Sequence, residues 1–278
     1  MEFRLDHAVI AVADLDKAVE DYRALGFTVV IGGRHPGRTS RNALVVFADG
    51  SYLELIAWQE PGPAERWYNE HAKHGDGLMD FALVPEDVPR AVAEAQSRGL
   101  ALDGPIDGGR VRPDGRRVQW QTGWQATHDL PFLCGDVTPR ALRAPEGEAR
   151  VHPNGVLGVA RVTVAVHDPE TSRSRYAALL GPKTGSDGAE AQRDDPSLVL
   201  PASGLRAAFV PVGGTTILLI SPSPEAKAEP SPLEATLRTR LATRGEGPMA
   251  LVLRGAPGKP AVQLDPAATH GVPIVINP

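Results

Sequence analysis

Two stretches far apart in the chain spell the same local structure: His7 to Gly26 and Arg161 to Leu180 each read as an apolar strand, an Asp-capped helix and a turn. Val12-Ala13-Asp14 is answered by Val166-His167-Asp168, and Arg23-Ala24-Leu25 by Ala177-Ala178-Leu179. The correspondence continues with Gly50-Ser51-Tyr52-Leu53-Glu54-Leu55-Ile56 against Gly214-Thr215-Thr216-Ile217-Leu218-Leu219-Ile220, and with Gly75 to Asp80 against Gly245 to Ala250. The chain is therefore a tandem of two related halves. Their join falls where Pro139, Pro145, Gly147, Pro153 and Gly155 cluster among charges, as in linkers. The expected division is residues 1–138, a linker at 139–155 and a second, degenerate domain at 156–278, with no helix after Val252.

Within the first half a smaller unit repeats. Leu5 to Val12 is an apolar strand, and Asp14 caps a helix whose apolar positions Leu15, Ala18, Val19, Tyr22 and Leu25 stop at Gly26. Strand-like runs follow at Phe27 to Ile31, Asn42 to Phe47 and Tyr52 to Trp58, with Asp49-Gly50 suited to a tight hairpin. After a polar helical segment, Ala64 to Lys73, the order returns: strand Leu78 to Leu83, helix Val88 to Arg98 ending at Gly99, then strands around Arg117 to Trp120 and Leu130 to Leu133. The fold class is α+β, built from tandem strand-helix-strand-strand-strand units.

Composition narrows the function. At 278 residues with 42% hydrophobic content, the chain can bury real cores. Its formal net charge of -5 offers no broad attraction for phosphate backbones or anionic lipid, so nucleic acid and membrane are not expected partners. A lone cysteine, Cys134, fits a reducing compartment, and the opening Met1 to His7 runs into a strand pattern rather than a signal segment. A cytoplasmic protein acting on a small molecule, as monomer or homodimer, is the expectation.

The paired units resemble the vicinal oxygen chelate superfamily of glyoxalase I, extradiol dioxygenases and bleomycin-resistance proteins. Leu5-Asp6-His7-Ala8-Val9, His35-Pro36-Gly37 running to Asn42-Ala43-Leu44-Val45-Val46-Phe47, Tyr52-Leu53-Glu54-Leu55 and His152-Pro153-Asn154-Gly155 look most like its glyoxalase-like domain family. In that superfamily two units cup a metal or ligand, with ligands on the first and last strand of each unit. The resemblance puts His7 and Glu54 at those positions in the first unit, and Asp80 at the counterpart of His7 in the second. It implies a divalent metal ion, and an oxygen-rich set of this kind suits Mn, Fe, Zn, Ni or Mg better than a thiolate-seeking ion. Glu54 would serve as ligand or as catalytic base. The fourth position, near Phe132, carries no ligand, and His128 is the nearest substitute.

Alternation places His7 on the face of Val9 and Ala11, and Glu54 on that of Tyr52 and Ile56. A carboxylate buried there is costly unless paired, protonated or coordinated. The alternative has His7 hydrogen-bonded in the sheet, Glu54 paired with an arginine and Asp80 facing a loop. In the second half the three positions are Arg161, Leu218 and Ala250, so the polar trio is absent together. That points to a site in the first half, with drift after duplication as the rival reading.

Of fourteen Phe, Trp and Tyr residues, only Tyr176 and Phe209 follow residue 140, and Trp58, Trp120 and Trp124 are candidates to line a pocket. Arg34, His35, Arg38 and Arg41 share a loop, and Arg110, Arg112, Arg116 and Arg117 surround Pro113-Asp114-Gly115. Guanidinium forks suit a carboxylate or phosphate, so His35, Arg38, Asn42 and Arg112 join the tryptophans as substrate-binding candidates; a solvated rim is the alternative. No phosphate loop or serine elbow is present, and Cys134 in an apolar strand reads as packing. The leading expectation is a metal-dependent isomerase, lyase or dioxygenase. Its rival is a metal-free protein that sequesters a small molecule, as drug-resistance members of the superfamily do.

Overall fold

A computed structural model of the protein describes residues 1–182, 198–200, 204–224 and 230–278. The first half runs β1 (Phe3–Ala11), α1 (Leu15–Ala24), β2 (Val30–Arg34), β3 (Ser40–Val46), β4 (Tyr52–Trp58), α2 (Arg66–His74), β5 (Gly77–Pro85), α3 (Val88–Ser97), β6 (Asp103–Val111), β7 (Arg117–Trp124) and β8 (Phe132–Asp136). Asp14 caps α1 by accepting from the Asp16 and Lys17 amides, and Asp87 caps α3 through the Arg90 amide. The buried faces of these helices, Leu15-Ala18-Val19-Tyr22 and Val88-Ala91-Val92-Ala95, cover the outside of the sheet. The strand expected from Phe27 starts only at Val30, because the Gly26 and Phe27 amides turn back to close α1 on Arg23 and Tyr22.

The two units meet through β1 and β5, which run antiparallel, while β1 with β4 and β5 with β8 are parallel. The sheet is more than a cup. It closes into a barrel in the order β1-β4-β3-β2-β6-β7-β8-β5, and β2 joins β6 through the pair Arg34 and Val111. Gly33 permits that approach: its φ is +137°, and a Cβ there would lie 2.0 Å from the Val111 carbonyl oxygen. Gly33→Ala is expected to destabilise the protein by roughly 1–3 kcal/mol through strain and loss of this seam, read as a lower thermal midpoint. An unchanged midpoint would show that the barrel does not depend on the closure.

The segment expected to be a linker is instead folded against the barrel. It forms α4 (Arg140–Arg143) and a single 3-10 turn (Gly147–Arg150), and Arg143 is among the largest fully buried side chains of the chain.

The second half comprises β9 (Val156–Ala165), α5 (Pro169–Leu180), β10 (Leu198–Leu200), β11 (Leu205–Val212), β12 (Thr215–Pro222), α6 (Pro232–Thr243), β13 (Gly247–Gly255), β14 (Val262–Gln263) and β15 (Ile274–Asn277). Its order, β10-β11-β12-β9-β13-β15-β14, repeats β2-β3-β4-β1-β5-β8-β7 strand for strand. Among the described residues it has no counterpart of β6, so this sheet stays open. The registers also coincide. Val9 lies between Glu54 and Asp80 on the neighbouring strands, as Thr163 lies between Leu218 and Ala250, and His7 pairs with Tyr52 as Arg161 pairs with Thr216. Ala8 and Ile10 on the outside of β1, with Val12 just beyond it, share one apolar core with Val162 and Val164 of β9, so the halves support each other.

Candidate active site

The inward face of β1 carries His7, Val9 and Ala11, as alternation requires, and Val9 and Ala11 pack with Ile56, Met79, Ala82, Phe132 and Cys134 inside the barrel. Asp6 breaks the rule. The β1–β5 register slips between Leu5 and His7, which makes Asp6 the extra residue of a bulge and turns its side chain toward that of His7. His7 Nδ1 donates to Asp6 Oδ2 at 2.6 Å, and the ring stacks on Tyr52 at 4.6 Å.

Asp6 is fully buried and held by the former linker. Arg143 Nη1 donates to its Oδ2 at 2.5 Å and Nη2 to its Oδ1 at 3.0 Å, and Arg140 Nη1 donates to Oδ1 at 2.6 Å. Arg143 also donates to Asp136 from Nε at 2.5 Å and to the Tyr52 hydroxyl at 2.9 Å. Burial alone would raise the Asp6 carboxyl, but Arg143, His7 and Arg140 outweigh it and hold it well below the ordinary range. Cys134, 3.5 Å from Arg143, is a buried thiol that its surroundings push far up, which fits the packing role expected of it.

On the other side of His7, Nε2 stands 3.4 Å from Glu54 Oε2. Glu54 Oε1 accepts from Asn42 Nδ2 at 2.5 Å and lies 3.9 Å from His35 Nε2, while His35 Nδ1 is 3.1 Å from the Ser40 hydroxyl. Burial opposes the charge on Glu54, yet the bonds from His7 and Asn42 and the nearby imidazoles hold it at about 2. Burial likewise opposes the charge on His7, and the bonds to Asp6 and Glu54 override it, raising His7 above its ordinary 6.5. His35, without such bonds, is lowered by burial. These shifts favour an imidazolium-carboxylate pair of His7 and Glu54, with the charged form of His35 disfavoured by burial beside it.

This pair forms part of the wall of a cavity of about 290 Å³ inside the barrel. Trp67, Trp124 and Phe132 make an apolar side in which Trp124 and Phe132 stack at 4.4 Å, and Trp120 meets His35 edge-on. Of the residues expected to bind substrate, His35, Arg38, Asn42, Trp120 and Trp124 line the cavity. Trp58 does not. It packs on Tyr68 and His71 and donates to Glu65. Arg112 is also elsewhere, donating to the Leu142 carbonyl and pairing with Asp114.

The trio His7, Glu54 and Asp80 does not converge. Asp80 accepts from the Trp67 indole and the Phe81 amide, with Arg66 at 3.9 Å, and burial raises it to about 6. His128, the substitute fourth ligand, is held by Arg66 at 2.7 Å and pushed down to about 4 by burial and that guanidinium. Among the described residues no three His, Cys, Asp or Glu side chains are grouped to hold a metal ion. Glu54's oxygens already face Asn42, His7 and His35, so the donor set does not fit the metal that the family resemblance implies.

A family model described as a glyoxalase-like domain matches residues 5–180, which contain all of the barrel but the first two residues of β1. The chain belongs to the glyoxalase-like domain family. A hypothetical protein from Staphylococcus aureus shares the glyoxalase-like architecture over 99% of both chains at a TM-score of 0.69, with 12% identity. A mutant 4-hydroxymandelate synthase from Streptomyces coelicolor aligns over 91% of this chain and 71% of its own at a TM-score of 0.61, with 18% identity. A methylmalonyl-CoA epimerase variant from Streptomyces coelicolor is 27% identical over 49% of this chain and 98% of its own, at a TM-score of 0.37. No curated protein sequence matches this glyoxalase-like chain, and none of its helices among the described residues is long and apolar enough to cross a membrane.

Three residues of this glyoxalase-like site escape sequence reasoning. Trp67 sits in a polar helical stretch, Asp6 turns inward only through the bulge, and Arg143 lies in what reads as a linker. No local signal marks them. Arg110 belongs to the arginine cluster that the sequence marks, and of that cluster it and Arg117 reach the cavity while Arg112 does not.

Proposed function

We propose that the barrel of the first half is an enzyme of the isomerase or lyase type that moves a proton on a small carbonyl compound. The observation that carries this reading is the buried His7–Glu54 pair, braced by Asp6 and placed in the wall of a cavity. A protein that only sequesters ligands has no need of two opposed buried charges at its binding surface, since an apolar replacement would serve its stability as well. Paired groups whose surroundings drive their protonation apart are the working parts of acid-base chemistry.

Glu54 takes the proton from a carbon beside the substrate carbonyl, and the electron pair left by the broken C–H bond moves into that carbonyl. His7 Nε2–H donates to the developing oxyanion. Once His7 turns its hydrogen bond to the substrate, the interaction holding Glu54 at about 2 is weakened and the carboxylate becomes a stronger base. Return of the proton to a different position or face completes an isomerisation, and expulsion of a neighbouring group completes a lyase reaction. No step passes through a metal.

The test is proton exchange in D2O, followed by NMR, with 2-oxobutyrate, phenylpyruvate and mandelate as probes. Deuterium is expected at the carbon next to the carbonyl or carboxylate of at least one, at a rate unchanged by a chelator. Binding of these probes without any exchange would favour sequestration instead. Exchange abolished by chelation and restored by a divalent ion would return the site to metal chemistry.

A further inference from the structure

Arg110 is a buried cation on which the Glu54 carboxylate acts through space, with no carboxylate in direct contact among the described residues. Its side chain projects from β6 into the barrel, the residue is 3% exposed, and it lines the same cavity as Glu54 and Trp124. Its one described hydrogen bond runs from Nη2 to the Arg143 carbonyl oxygen at 2.6 Å, while Nε is buried with no partner. No carboxylate forms an ion pair with it among the described residues, in contrast to Arg140 and Arg143 beneath the site, which share Asp6 and Asp136. A guanidinium taken out of water and left unpaired is unfavourable, and the natural remedy is a counter-ion.

We propose that the cavity takes a carboxylate with an apolar, preferably aromatic, body, and that Arg110 is the seat of its carboxylate group. The inference rests on the barrel cavity being the substrate site, and it adds the substrate class and a specificity-determining residue. One buried unpaired cation calls for one negative charge; Arg38 and Arg117, also at the cavity, are exposed and face water. The fork geometry of a guanidinium matches a planar carboxylate. In the same cavity, the stacked Trp124 and Phe132 with Trp67 provide the surface for a flat apolar body. A ligand so placed brings its carboxylate to the cation that Glu54 does not touch, leaving Glu54 free for the neighbouring carbon.

Tryptophan fluorescence reports occupancy, since Trp67, Trp120 and Trp124 line the cavity. Benzoate, its neutral analogue benzyl alcohol and the dianion phenyl phosphate are titrated against the unaltered chain and against Arg110→Gln, Arg110→Lys and Glu54→Gln. Benzoate is expected to bind about tenfold or more tightly than benzyl alcohol and more tightly than phenyl phosphate, and Arg110→Gln should erase the preference while leaving benzyl alcohol unchanged. Arg110→Lys should retain part of it. Equal binding of benzoate and benzyl alcohol to the unaltered chain overturns the proposal even if every variant fails to fold, and stronger binding of phenyl phosphate overturns the carboxylate assignment. Glu54→Gln should keep benzoate binding. Arg110-dependent binding without proton exchange would therefore leave the anion seat standing and remove the catalytic reading, and exchange without Arg110-dependent binding would do the reverse.

Discussion

Arg143→Ala is expected to lower stability by about 3–5 kcal/mol, among the largest effects of any single substitution in the barrel, because it leaves buried carboxylate charge behind. Asp6 has no exposed surface, and it loses the two bonds that approach its oxygens side by side. Arg140 and His7 remain on Asp6, but Arg140 is already shared with Asp136 and the Gly50 carbonyl. The Tyr52 hydroxyl loses its donor as well, and the Tyr52 ring is the surface on which His7 rests. Asp6 in the parent is held well below 3.8, so its contribution is present at neutral pH and disappears only as the pH falls through that lowered value. In the variant the carboxyl rises toward neutrality, and acid unfolding should begin at a higher pH. Chemical denaturation at two pH values measures both effects. By contrast Arg116→Ala, which removes an exposed pair with Asp114, should leave the midpoint unchanged. Equal, small effects of the two substitutions would show that the cluster under the site is not structural.

Glu54→Gln should lower the rate of proton exchange about 10²–10⁴-fold, the range that a positioned base supplies. The amide nearly matches the carboxylate in shape and can still accept from Asn42, so the fold and the cavity should survive. The pH profile adds a check that a purely structural role would not reproduce. Exchange in the parent needs His7 charged and Glu54 ionised. In the free protein Glu54 is held at about 2, so at limiting probe concentration the acid side should be flat until the protein unfolds, and activity should fall as the pH rises through the elevated value of His7. A rate at limiting probe concentration that falls on the acid side near neutrality would contradict Glu54 as the base.

The repeat made the architecture legible. The order of elements along the chain, the alternation that puts His7 with Val9 and Ala11 and Glu54 with Tyr52 and Ile56, and the equivalence of Glu54, Asp80 and Leu218, Ala250 leave marks in the residues, because period-two burial and a duplicated topology repeat them. The family resemblance supplied which face turns inward. What the sequence could not show are interactions that break those patterns. The bulge that joins Asp6 to His7 has no compositional signature. Arg143 reaches Asp6 across a separation of 137 positions from a proline-rich stretch that looks like linker. Asp80 occupies the register that family resemblance gives it, yet its side chain is claimed by Trp67 from a helix lying between the two units. Trp58 and Trp124 read alike in sequence, and only the packing of Trp58 on Tyr68 and His71 keeps it out of the cavity.

The central claim is that His7 and Glu54 form a charged acid-base pair within the barrel. It is tested most directly by titrating the His7 imidazole by NMR in the unaltered chain and in Glu54→Gln. The account predicts protonation persisting above pH 6.5 in the parent, with Nδ1 bonded to Asp6, and a clear fall when Glu54 loses its charge. A His7 that titrates below 6.5 and ignores the substitution would contradict it, as would one whose resonances shift on stoichiometric addition of a divalent metal.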